Sequence, residues 1–191
     1  MNSSEAVYRA SGIKPMSNLT YRLEEWLLFV WDIFLRHPRQ DLAKVPLKEG
    51  MTVVDYGCGP GHYTIPLAEV VGPKRQVYAV EIQPLALETI KKKAAQKSLG
   101  NITPVLVDSY NTGIPDASAD VVLLIDAFHM ISDRNALLQE ICRLLKPDGF
   151  LFMDPGHMKA SEVKIIVEST GLFYTIKFDG RNMQLKKRPK L

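Results

Sequence analysis

The chain is predicted to fold as an open, mostly parallel α/β sheet of seven strands, with helices on both faces and an antiparallel strand in a C-terminal hairpin. Three observations predict it. From residue 52 onward, short runs rich in β-branched residues alternate with longer helical patterns. The runs are continuously apolar rather than alternating, as parallel strands covered on both faces are. Near the end, Asp179-Gly180 separates two further strand-like runs, which is a strong hairpin signal.

Composition fits this class. The 191 residues suffice for one domain with a full core. A hydrophobic fraction of 46% and a net charge of +3 are ordinary, and the mild charge makes no case for nucleic acid or a membrane. Residues 1–10 carry no apolar stretch after a basic start, so no signal peptide is read there. Leu19 to Leu35 is too polar and too short to span a bilayer. Cys58 and Cys142 lack metal-ligand spacing, and a reducing, cytoplasmic setting is expected.

The elements follow in order, in two units: an N-terminal segment, 1–44, and the α/β domain, 45–191. Residues 1–17 are polar and broken by Gly12 and Pro15. From Leu19, apolar residues at three- and four-residue steps (Leu23, Trp26, Leu27, Val30, Trp31, Phe34) predict a helix that ends at His37-Pro38. Leu28, Phe29 and Ile33 widen its apolar surface, which suits either a lid or a dimer contact.

Strand one is expected at Thr52–Asp55, then a helix from Gly61 to Val71 and a turn at Gly72-Pro73. Strand two is Val77–Glu81. Pro84 opens the next helix, which runs to Leu99 and stops at Gly100-Asn101. Strand three is Thr103–Val107 and strand four Val121–Ile125. A helix at Arg134–Leu145 leads into a turn, Lys146-Pro147-Asp148-Gly149, and strand five, Phe150–Met153. A helix over Ser161–Thr170 precedes the hairpin strands Tyr174–Phe178 and Met183–Lys187. The basic tail, Lys186 to Lys190, reads as a solvated terminus.

The informative loop is Val53-Val54-Asp55-Tyr56-Gly57-Cys58-Gly59-Pro60-Gly61-His62. Glycines at alternate positions allow positive φ and let a ligand lie against bare backbone, and the following helix aims its N-terminal N–H groups at that ligand. The dinucleotide fingerprint G-x-G-x-x-G needs a third glycine where His62 stands. A carboxylate at Asp55 repels a diphosphate and welcomes a cation. A sulfonium or ammonium ligand without phosphate suits the loop better.

Asp55 through Gly61 resembles motif I of the class I methyltransferases that use S-adenosylmethionine, whose fold is Rossmann-like. The likeness continues to residue 187 and is closest to the small quinone-biosynthesis and arsenite-methyltransferase-like branch. The cysteine set that arsenite chemistry needs is missing. The resemblance implies S-adenosylmethionine as cofactor, with Asp55, Gly57, Gly59 and Gly61 forming its loop. It implies Glu81, with Ile82 beside it, as the acid for both ribose hydroxyls. It implies Asp108 and Ser109 near the adenine amino group, and Asp126 at the end of strand four. Each acid has a plainer role: Asp55 can tie down the loop, Asp108 can begin a turn and Asp126 can cap the next segment.

His129 and His157 lie just beyond strands four and five, on the rim where a methyl group would be presented. His129 is the first candidate for a base that takes a proton from the acceptor, although a rim histidine can simply shape a pocket. No His, Cys or acid spacing predicts a metal site. The expected function is methyl transfer to a small-molecule acceptor by a monomer or homodimer without a membrane span. The alternative is a non-catalytic protein that binds the cofactor or its demethylated product. A nicotinamide-dependent oxidoreductase conflicts with His62 and Asp55. Nucleic acid is not the expected acceptor, because Lys91-Lys92-Lys93 falls on a solvent-facing helix.

Overall fold

The computed structural model describes residues 16–23 and 38–189. After a helical stretch at 18–23, the elements are α1 (Pro38–Leu42), β1 (Val53–Tyr56), α2 (Thr64–Val71), β2 (Val77–Glu81), α3 (Pro84–Gln96), β3 (Ile102–Leu106) and β4 (Ala119–Leu124). A 3₁₀ turn (Phe128–Met130) leads to α4 (Arg134–Leu144), β5 (Leu145–Met153), α5 (Ala160–Ser169), β6 (Phe173–Phe178) and β7 (Met183–Lys187). Most of the helix expected between Leu19 and His37, with Trp26 and Trp31, lies outside the described residues. Among those residues, no helix is long and apolar enough to cross a membrane.

The seven strands form one sheet in the order β3-β2-β1-β4-β5-β7-β6. Every ladder is parallel except the two that β7 makes, with β5 and with β6. The expected hairpin therefore supplies the single antiparallel strand, and β7 rather than β6 docks on the parallel sheet. Strand order reverses between β1 and β4, the crevice where open α/β sheets take their ligands.

Alternate residues of the strands feed the two faces. Val54, Val80, Val122, Leu124 and Leu151 pack with Leu137, Leu138, Ile141 and Leu144 of α4 and with Val163 and Val167 of α5. The four α4 residues are fully buried, each contributing roughly 1.5–3 kcal/mol of apolar transfer free energy. On the opposite face, Val53, Val77, Val121 and Leu123 pack with Leu67, Ala68 and Val71 of α2 and with Leu42 of α1. Ala79 on that face meets Leu87 and Ile90 of α3.

The helix ends have identifiable partners. Asp133 caps α4 by accepting the Ala136 N–H at 2.9 Å. Buried Asn101 donates to the Ala68 and Gly72 carbonyls, both at 2.9 Å, and so satisfies the C-terminus of α2.

Most boundaries shift by one to three residues from expectation, and two of the shifts have a local cause. α2 begins at Thr64, not Gly61, because the positive φ of Gly61 (84°) belongs to the loop. β5 begins at Leu145, and Lys146–Gly149 bulges out of its ladder: Ala119 pairs with Leu145, whereas Val121 pairs with Phe150. Lys146 reaches Asp120 at 2.7 Å. A Cβ on Gly149 would come within 2.9 Å of the Ala119 carbonyl oxygen, so the excursion requires glycine there.

Candidate active site

The glycine loop leaves β1 at the centre of the sheet. Gly57 and Cys58 donate to the Val80 carbonyl at 2.9 and 3.1 Å, and Gly61 donates to the Cys58 carbonyl at 3.1 Å. These bonds fold the loop over the end of β2. The three glycines serve different needs. All have positive φ (73°, 50° and 84°). A Cβ on Gly57 would lie 2.8 Å from the Ala127 Cβ, and one on Gly61 would lie 2.7 Å from Ile90 Cγ1. Those two are required by the protein's own packing. Gly59 alone looks onto open space, with nothing within 4 Å of its Cβ direction.

Glu81, the last residue of β2, faces this loop. Its Oε2 accepts the Gly59 N–H at 2.9 Å, and its Oε1 accepts those of Ile82 and Gln83 at 2.7 and 3.0 Å. A carboxylate offers about four acceptor sites. Oε1 is filled, and Oε2 keeps room for one further donor.

Asp55 lies beneath the loop, buried, and accepts the Thr64 hydroxyl at 2.6 Å. Burial pushes its pKa up, the Thr64 hydrogen bond draws it back, and the nearby Glu81 charge raises it again, to about 7. Burial also pushes the Cys58 thiol up, and Asp55 and Glu81 add to the rise, so this sulfur is no nucleophile. Lys93 meets this loop by donating to the Pro60 carbonyl at 2.9 Å. The electrostatics suit a cation and hydroxyl donors.

The remaining predicted residues occupy the neighbouring strand ends. Asp108 is exposed and Ser109 half-buried just past β3. The segment that follows is tied down by Glu140 of α4, which accepts the Thr112 N–H at 2.9 Å and its hydroxyl at 2.7 Å. Burial raises the Glu140 pKa, but the bonds from Arg143 and Thr112 outweigh it and hold the carboxyl below its ordinary value.

Beyond β4, Asp126 adopts φ 52°, a left-handed conformation that aspartate tolerates better than most residues. Its N–H donates to Asp154 Oδ1 at 2.8 Å. His129 and His157 meet edge to face, with ring centroids 4.8 Å apart.

The sequence reading missed Asp154, Arg181 and Glu140. Asp154 is fully buried and accepts the Gly156 N–H at 3.0 Å and Arg181 at 2.9 Å. Burial raises its pKa, but the Asp126 N–H, Arg181 and the Gly156 N–H overcome this and keep it ionised. The usable signal was local: an acid at the end of an apolar strand, followed by Pro-Gly.

Known proteins share sequence and fold with this chain. The profile of a family described as a methyltransferase domain matches residues 47–179. The demethylmenaquinone methyltransferase of Geobacillus sp. (strain WCH70) is 30% identical over 119 residues, 61% of this chain and 51% of that protein. The nocamycin O-methyltransferase of Saccharothrix syringae is 32% identical over 111 residues, 58% of this chain and 40% of that protein. The chain spans about half the length of these curated relatives or less. A solved SAM-dependent methyltransferase from Aquifex aeolicus superposes with a TM-score of 0.69 at 22% identity, covering 97% of each chain. That similarity establishes the fold.

Proposed function

Because the chain belongs to the methyltransferase domain family, we propose that it moves the methyl group of S-adenosylmethionine to a small-molecule acceptor. The carrying observation is Glu81: a carboxylate held by three backbone N–H groups against the one glycine of the loop that opens outward. One ribose hydroxyl takes the free site on Oε2, and a second shares or displaces the Gly59 N–H. Asp55, Gly57, Gly59, Gly61 and Ile82 complete the donor cup. Asp108 and Ser109 flank the adenine, and Asp126 borders the space beyond it.

The bound sulfonium supplies an already activated methyl group, so the chain's own work is positioning and exclusion of water. An acceptor lone pair attacks the methyl carbon in line, the C–S bond breaks, and its electron pair stays on sulfur. The acceptor's proton passes to the His129 imidazole. The names of the curated relatives support a small organic acceptor.

Of the lid and dimer-contact roles expected for the N-terminal segment, the lid is supported by Gln83 Nε2, which donates to the Met16 carbonyl at 2.9 Å two residues from Glu81. The low cysteine content, two in 191 residues, supports a reducing, cytoplasmic setting, and a monomer or homodimer accounts for the site. The test is labelled methyl transfer from S-adenosylmethionine to quinol, phenol and amine panels, with RNA and protein fractions alongside. Label entering a small molecule is expected. Label entering only RNA or protein contradicts the acceptor class.

A further inference from the structure

At the carboxyl ends of β4 and β5, Asp126, His129 and His157 each offer one ligand atom, and these atoms lie within 4.8 Å of one another. The donor cup uses neither histidine. His129 Nδ1 is buried and has no hydrogen-bond partner, and Asp126 Oδ1 stands 3.8 Å away, too far for a hydrogen bond. A buried ring nitrogen left unpaired beside a carboxylate and a second imidazole is poorly satisfied by the protein alone.

The backbone around the cluster is arranged to bring it together. Asp154 accepts the N–H groups of both Asp126 and Gly156, and so joins the exits of the two strands. Arg181, from the turn between β6 and β7, anchors Asp154. Gly156 has φ 58°, and a Cβ there would overlap His129 Nδ1 and lie 2.9 Å from Asp126 Oδ1. The absent side chain is what admits the imidazole and the carboxylate to one space.

We propose that Asp126, His129 and His157 bind a divalent transition-metal ion. Two imidazoles and one carboxylate suit zinc, cobalt, iron or manganese rather than magnesium or calcium, which prefer all-oxygen sites. Tetrahedral zinc with bonds of about 2.1 Å sets its ligand atoms roughly 3.4 Å apart. The 3.8 Å between His129 and Asp126 closes to that by a few tenths of an ångström, and the widest separation, up to 4.8 Å, by up to about 1.4 Å. Asp126 and His157 are exposed, and their side chains can adjust. Three protein ligands leave a position for water or for an oxygen of the acceptor. Only this last placement rests on the methyl-transfer reading. A ring bonded to the cation through Nδ1 carries its proton on Nε2 and accepts none, so the base role of His129 given above belongs to the cation-free protein.

The experiment uses the untagged full chain without methyl donor. Co²⁺ is titrated and followed by visible absorption, and Zn²⁺ then competes for the site. One ion per chain is expected, with a tetrahedral or five-coordinate cobalt spectrum. His157→Gln and Asp126→Asn should each weaken binding by at least roughly tenfold, and Gly156→Ala likewise. Circular dichroism on the same samples verifies the fold, and S-adenosylmethionine binding is measured on the wild-type chain. No uptake by the wild-type chain overturns the site, as does uptake unchanged in both His157→Gln and Asp126→Asn. Metal uptake without donor binding would remove the methyl-transfer reading and leave the site standing. Donor binding without metal uptake would do the reverse.

Discussion

The two halves of the sheet's carboxyl edge are built differently. At β1 and β2, Glu81 is fixed by three backbone N–H groups, Asp55 is buried under the loop, and two glycines are locked by packing. At β4 and β5, Asp126 and His157 are exposed, and a buried ring nitrogen has no partner. The first half is complete before anything binds. The second is held from behind, through Asp154 and Arg181. Under the proposed methyl transfer, the rigid half would serve as the donor cup and the adjustable half as the acceptor rim.

Gly61→Ala is the strongest way to break the rigid half. It combines a left-handed backbone, about 1–2 kcal/mol, with a Cβ at 2.7 Å from Ile90 Cγ1, an overpacking cost of about 1–3 kcal/mol. Denaturant unfolding should therefore lose roughly 2–5 kcal/mol. A change within half a kcal/mol would mean that the loop is not locked.

Asp154→Ala attacks the support of the other half. It strips the partner from two N–H groups and from Arg181, and the expected loss is about 2–4 kcal/mol. His129 and His157 amide and ring NMR signals should broaden while those of Gly57 to Gly61 stay in place. Equal disturbance of both halves would erase the distinction between them.

Asp55 sharpens the comparison through pH. Its native pKa, about 7, stands above the model-peptide value of 3.8. The native state then holds the proton that the unfolded chain has already lost. Stability from this group is full below 3.8, falls as pH rises to about 7, and is gone above it. Asp55→Asn removes that slope. Between pH 5 and pH 8 the variant should gain about 2–3 kcal/mol relative to wild type. It should also bind the donor more weakly, because the variant cannot ionise beside a cation. Parallel pH profiles for wild type and Asp55→Asn would contradict the raised pKa.

Glu81→Ala is the mildest. Donor affinity should fall by about 1–3 kcal/mol, the usual loss for hydrogen bonds to a charged group, with the melting temperature changing less. Unchanged affinity would assign the ribose to another residue.

The rigid half was the more legible in the sequence. Asp55, the three glycines and Glu81 sit within 27 positions, and the strand–loop–helix order fixes their spacing. Even there, the sequence does not distinguish Gly59, open to a ligand, from Gly57 and Gly61, which are closed against Ala127 and Ile90. The rim was legible only as two histidines beyond neighbouring strands. Their convergence with Asp126 depends on the β4–β5 register and on a turn pinned by Arg181 from a hairpin more than twenty residues later. No local spacing encodes that. The bulge at Lys146–Gly149 hid for the same reason: its residues are those of an ordinary turn, and only the ladder shows it to be an excursion within a strand.

The most direct test of the account is a pair of calorimetric titrations at pH 7.5, one with S-adenosylmethionine and one with NAD. The donor cup proposed at Asp55 to Gly61 and Glu81 predicts saturable, one-to-one binding of S-adenosylmethionine and none of NAD, whose diphosphate would face Asp55 and Glu81. Binding of NAD, or no binding of S-adenosylmethionine at millimolar concentration, would contradict it.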